Sequence, residues 1–236
     1  MTDTVLHDDT PLRAEARTET ELLAVMNALP AVDWSDIEAA AEITRGIALQ
    51  LSGDRELLRS LVDRVPTTAP LRQKCECHAL DDKIVIWDAP EKGLRIRLRL
   101  ANVKQYERVH NHRYSFTAHL LYGTYYHTLY GTDQKLDETA DVTRFWPRMV
   151  REEHTGATIT LHHEQLHTTL TDPETISLMI QSPAQKERAF MIRKSDGQVW
   201  WRLGQADEDD ERRREVQMSD ERFAHWRSRL TALGVL

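Results

Sequence analysis

The sequence predicts a mainly β chain, a barrel or sandwich of short strands with helices at both ends. Three observations lead there. After about Leu71, β-rich runs alternate with polar turns such as Asp88-Ala-Pro-Glu-Lys-Gly93 and Ser195-Asp-Gly197. Leu94 to Leu100 alternates strictly, with Arg95, Arg97 and Arg99 on one face and Ile96, Leu98 and Leu100 on the other. Helical periodicity is confined to segments before Pro70 and after Asp207.

Taken in order, residues 1–20 are a polar, acid-rich and loose arm. Residues 21–70 form a helical layer. Leu22, Leu23, Val25, Met26 and Leu29 suit one amphipathic helix ending near Pro30. Asp33 or Ser35 caps a second helix from Ile37 to Leu51, and Glu56 to Val65 offers a third. Residues 71–204 carry the strands: Lys83 to Trp87, Leu94 to Leu100, the stretch around His110, Thr117 to Tyr122, Thr124 to Tyr130, Val142 to Glu153, Thr158 to His162, His167 to Leu170, Thr175 to Gln181, Ala189 to Arg193 and Gln198 to Leu203. Asp133 to Asp141 is an acidic loop. Residues 205–236 are an acidic-basic run, Asp207 to Glu215, then a helix from Asp220 to Leu233 capped by Ser219 and ended by Gly234.

Composition narrows the function classes. A length of 236 residues can bury a full core, and a formal net charge of −7 argues against a nucleic-acid partner. No apolar run reaches the length of a membrane span and no signal segment opens the chain, so a cytoplasmic protein with no membrane partner is expected. The two cysteines, Cys75 and Cys77, give no disulfide framework, and Cys75-Glu-Cys77-His78 lacks the second ligand pair of a zinc site. Barrel edges and apolar helices offer surfaces for a homodimer without fixing an oligomeric state.

The chemistry concentrates in His110-Asn-His112. On an extended strand these two imidazoles project from one face and can supply neighbouring ligands to a divalent metal. His110-x-His112, three residues, Phe116, six residues, Gly123 is then followed, 32 residues after Gly123, by Gly156, five residues, His162-x-Glu164, two residues, His167, three residues, Thr171. This pair of stretches resembles the two sequence motifs of the cupins. It departs from them at Lys104, where the first motif opens with glycine, at Phe116, where it has glutamate, and in the second motif's Pro-x-Gly and closing Asn.

The resemblance spans roughly Ile84 to Leu203 and implies a jelly-roll barrel with His110, His112 and His167 converging on a metal inside it. With Phe116 in the glutamate's place, the chain is similar to the three-histidine non-haem iron cupins, the thiol (cysteine) dioxygenases among them. Three neutral imidazoles leave the full charge of the ion in place, which favours a small anionic chelating substrate, a thiol or amino-acid-like metabolite, beside dioxygen. Fe(II) is the metal implied; zinc, nickel and manganese suit the same ligands. In those dioxygenases an early-strand arginine anchors the substrate carboxylate, which makes Arg97 and Arg99 substrate-binding candidates, with Phe116 as the apolar wall beside them. The plainer expectation for the arginine stripe is a solvated face. His127 is the expected polar group near the site, and Tyr114 stands for a tyrosine that orients oxygen or donates a proton. The alternatives are a metal-free cupin that binds a small ligand without catalysis, or a cupin isomerase or epimerase.

Overall fold

The computed structural model describes residues 17–103, 108–204 and 209–236. Most of the N-terminal arm, Lys104, Tyr106 and the beginning of the acidic-basic run lie outside these. Four helices come first: α1 (Glu19–Asn27), α2 (Ile37–Gly53), α3 (Arg55–Asp63) and α4 (Ala69–Arg72). Twelve strands follow: β1 (Glu76–Cys77), β2 (Asp81–Ala89), β3 (Leu94–Ala101), β4 (Arg108–His110), β5 (Phe116–Tyr122), β6 (Thr124–Gly131), β7 (Trp146–His154), β8 (Thr158–Leu161), β9 (Leu166–Thr171), β10 (Ile176–Gln181), β11 (Ala189–Arg193) and β12 (Val199–Arg202). Helices α5 (Asp210–Val216) and α6 (Asp220–Ala232) end the chain.

The strands make two antiparallel sheets, in the orders β1-β2-β3-β10-β5-β8 and β12-β11-β4-β9-β6-β7. Counting from β3 as the first strand to β10 as the eighth, these orders contain 1-8-3-6 facing 2-7-4-5, the double Greek key of a jelly roll. The change of sheet between β5 and β6 is made at Gly123, whose φ is 86°. A Cβ there would lie 2.6 Å from Thr175 Oγ1, so only glycine fits the corner.

The period-two pattern of β3 decides which face is which. Ile96, Leu98 and Leu100, with Ile84 and Ile86 of β2 and Ile176, Leu178 and Ile180 of β10, are buried in one core with the N-terminal helices and α6. The opposite face, carrying Arg95, Arg97 and Arg99, turns into the barrel. The solvated-face expectation for these arginines is therefore wrong. Helices occupy the outer side of this sheet, which reverses the usual assignment of the polar face to water. A bulge between Val85 and Trp87 resets the alternation of β2, so that Val85 and Asp88 both face inward.

Local signals held in part. Ser219 accepts from Arg222 N to cap α6, as expected, but α2 is capped by Asp36. Asp33 instead closes a tight turn onto Ser35 N, at 2.9 Å. The stretch Val142 to Arg144 is a 3-10 turn, and β7 starts only at Trp146. The acidic loop supplies Leu136 and Ala140, and the 3-10 turn Val142, to a second core with Val109, Phe190 and Ile192, covering the outer face of the other sheet. Helix α6 is fastened through Asp82, which is 1% exposed. Its carboxylate accepts from Arg222 Nε at 2.5 Å, Trp226 Nε1 at 2.6 Å and Asn102 Nδ2 at 2.7 Å. A buried carboxylate is tolerated because it is paired and hydrogen-bonded on both oxygens.

Candidate metal centre

The interior between the sheets is a cavity of about 530 Å³, and His110, His112 and His167 line it together. Each offers one nitrogen, and the three offered atoms lie within 4.8 Å of one another. His110 comes from β4 and pairs in register with His167 on β9. The strand expected through His112 stops at His110. Asn111 takes its place in the ladder with its side chain as well as its backbone, accepting from Phe190 N at 2.8 Å. His112, one residue past the strand, is held instead by its own N–H to His163 O, and its ring still falls 4.9 Å from that of His110.

The hydrogen bonds assign which nitrogen each ring turns to the centre. His110 Nδ1 donates to Arg108 O at 3.1 Å, leaving Nε2 bare. Glu153 Oε1 accepts from His127 Nδ1 at 2.9 Å, so a neutral His127 has an acceptor at Nε2. That acceptor takes the proton of His167 Nδ1 at 2.8 Å, and His167 Nε2 is left bare as well. His112 Nε2 faces His167 Nε2 at 2.8 Å. With His167 Nε2 bare, His112 Nε2 carries the proton of that bond in the metal-free protein, and a divalent cation between the two nitrogens would take its place. The donor set thus fits a divalent ion, with a Glu153–His127 pair orienting one of its ligands.

Burial keeps all three rings neutral. It brings His110 down to about 3, helped by the nearby Arg108 charge, and holds His112 and His167 well below the ordinary imidazole value, with the neighbouring histidines adding to the effect. For Glu153, burial alone would raise the carboxyl, but hydrogen bonds and charge from His127 and Arg151 bring it below its usual value. Replacing Glu153 with glutamine removes the anion that fixes the His127 tautomer and the basicity of His167. About a 10- to 100-fold loss of metal affinity is expected, with an unchanged far-ultraviolet dichroism spectrum. Competition titration against a chromophoric chelator measures it.

The remaining predicted residues divide clearly. Phe116 is buried, with its ring 4.7 Å from His112 and edge-on to it. Arg97 is 6% exposed, and its Nη2 donates to Tyr114 Oη at 2.7 Å. Its Nε is buried with no partner, and no carboxylate lies within ion-pair distance of it among the described residues. Arg99 donates to Asp81 at 2.7 Å and to Tyr125 Oη at 3.1 Å. His127 lies against His167, as a polar group near the site should. His119 is buried on the outer face of its sheet, bonded to Thr158. Neither His162 nor His163 joins the cluster: His162 is exposed, and Ser115 holds His163. Cys75 packs as a buried thiol against Leu71 O, pushed up to about 11 by burial.

Sequence reasoning missed Glu153, Lys83 and Arg202. Glu153 becomes significant only through strand pairing. Tyr125 is its partner across β6–β7, which puts His127 diagonally beside it on the same inward face.

No protein-family model and no curated protein matches the chain. Among solved structures it is similar to an RmlC-like cupin from Shewanella frigidimarina, with 13% identity over 48% of this chain and 85% of that one and a TM-score of 0.35. It is also similar to KdgF from Halomonas sp., with 12% identity over 46% and 84% and a TM-score of 0.34. A double-stranded β-helix protein from Klebsiella pneumoniae has 11% identity over 54% and 89% and a TM-score of 0.33. No helix among the described residues is long and apolar enough to cross a membrane. By its own strand order, two facing four-strand arrays with the three histidines between them, the chain folds as a jelly roll.

Proposed function

We propose that this protein is a mononuclear non-haem iron oxygenase acting on a small anionic chelating substrate. The observation that carries the reading is the set of three imidazoles, His167 buried and His110 and His112 partly so, whose offered nitrogens lie within 4.8 Å of one another inside a cation-lined cavity, with a bare Nε2 on His110 and on His167. Fe(II) held by His110, His112 and His167 would supply the activation of dioxygen towards a chelated substrate.

The protein's own groups do the rest. Arg97 binds the substrate carboxylate, because a buried guanidinium without a counter-ion is stabilised by an incoming anion. Its bond to Tyr114 fixes the phenol beside it, where the hydroxyl can give a hydrogen bond to bound substrate. Phe116, Met179, Ile159 and Leu161 form an apolar wall that excludes water from one side of the centre. His127 and Glu153 hold His167 in its ligating tautomer.

Anaerobic titration of metal-free protein with Fe(II), followed by oxygen-electrode measurements with a panel of thiols, amino acids and hydroxy acids, tests the reading. One Fe(II) per chain and oxygen uptake with at least one panel member are expected. Absence of stoichiometric metal, or binding unaffected by His112→Ala, would overturn the metal centre. Stoichiometric iron with no oxygen uptake from any member would overturn the oxygenase and leave a non-oxidative metal site.

A further inference from the structure

The cavity is more cationic than one anchoring guanidinium requires. Among its described lining residues, eight lysines and arginines stand against three carboxylates, in a chain whose formal net charge is −7. The excess is arranged. Lys83 on β2 lies directly opposite Arg99 on β3, both facing inward, a cross-strand pairing that like charges disfavour. Glu76 holds Lys83 at 2.8 Å and Asp81 holds Arg99 at 2.7 Å. Arg202 reaches in from β12 of the other sheet. Its Nη2 is 3.4 Å from His78 Nε2, the same nitrogen that lies 3.0 Å from Lys83 Nζ. Lys83, Arg99 and Arg202 therefore surround one region of the cavity. Arg97, two residues along β3 and about 7 Å away at strand spacing, stands apart with its buried Nε unsatisfied. Among the described residues neither Arg97 nor Arg202 has a carboxylate within ion-pair distance.

We propose that the ligand of this cavity is a small dianion, one anionic group bound by Arg97 and the second by Lys83, Arg99 and Arg202. This names the substrate class of the metal site proposed above and rests on that reading for the chemistry only. Arg97 and Arg99 stand two residues apart on β3, with Cα atoms about 7 Å apart, so anionic groups joined by a short carbon chain can meet both side chains. A second carboxylate and a phosphate are both accommodated by Lys83 and the two guanidinium groups. Placing the cations on three strands of two sheets makes them converge only when the barrel is closed, so the second subsite is a property of the interior and not of the surface.

Calorimetry on the full-length protein, metal-free and again loaded with Zn(II), tests this with glutarate, 3-phosphoglycerate and the monoanion butyrate. At least one of the two probes with two anionic groups, glutarate with two charges or 3-phosphoglycerate with about three, is expected to bind ten times more tightly than butyrate in both forms, and which one does separates a dicarboxylate from a phosphorylated ligand. In Arg202→Gln and in Lys83→Met that preference should shrink to less than about threefold while butyrate affinity holds. Arg202→Gln guards the test, because Lys83→Met strips the half-buried Glu76 of its lysine and leaves it only His78, which can impair folding. Equal affinity for all three probes in the parent protein, or a preference that survives Arg202→Gln, overturns the dianion subsite. Because the selectivity is read without metal, its failure leaves the iron titration standing, and failure of the titration leaves the selectivity measurable.

Discussion

Metal-free protein is expected to lose up to about 4 kcal/mol of stability between pH 7.5 and 5.5, well before its carboxylates titrate. The source is the histidine cluster. Burial, seconded by Arg108, depresses His110 to about 3, and burial with the neighbouring histidines puts His112 and His167 well below their usual value. In the unfolded chain each imidazole takes up a proton near pH 6.5. Below that pH the unfolded state therefore binds more protons than the folded one, and stability falls as pH falls, continuing towards the depressed folded values. Each ring that stays neutral in the fold contributes about 1.4 kcal/mol over this interval. Urea denaturation of the apoprotein at the two pH values measures the sum, and a His110→Gln variant should lose roughly 1.4 kcal/mol less than the parent. A loss below about 1 kcal/mol in the parent would mean that the rings share a proton in the folded state. Bound divalent metal holds the same nitrogens against protons, so the holoprotein should resist the same acidification until the metal dissociates.

Fold and site were unequally legible in the sequence. Strand positions were readable because most strands alternate or run apolar between turn residues, and Leu94 to Leu100 even displays its two faces. What alternation does not say is which face water meets. Arg95, Arg97 and Arg99 look like a solvent stripe until α2 and α3 are packed on the other side of the sheet. The three histidines were readable from spacing, since strand geometry places residues two apart on one side. His112 kept that side even though β4 ends before it, because Asn111 substitutes its side chain for a ladder bond. The supporting residues were not readable. Glu153 is 26 residues from His127, and Arg202 is 124 residues from His78. Nothing local marks either as a partner; only the closure of the barrel does.

Arg97→Met is expected to move activity and stability in opposite directions. As a buried, cavity-lining guanidinium with an unsatisfied Nε, Arg97 should contribute about 2–5 kcal/mol to holding a carboxylate, which is roughly a 30- to 5,000-fold fall in kcat/KM or in ligand affinity. The folded protein without ligand gains nothing comparable from it. Its hydrogen bonds are to Tyr114 Oη and, at 3.6 Å, Met179 Sδ. Replacing a buried charge that lacks a counter-ion by an apolar chain of similar length is neutral or stabilising. The variant should therefore unfold at the same urea concentration as the parent or a higher one while binding carboxylates far less well. Arg97→Lys should recover little, since an ammonium restores the charge but not the planar fork that a carboxylate can meet with two bonds. Were Arg97 a structural residue, the methionine variant would instead lose stability and keep its affinity, a reversal that calorimetry and urea denaturation on one preparation would expose.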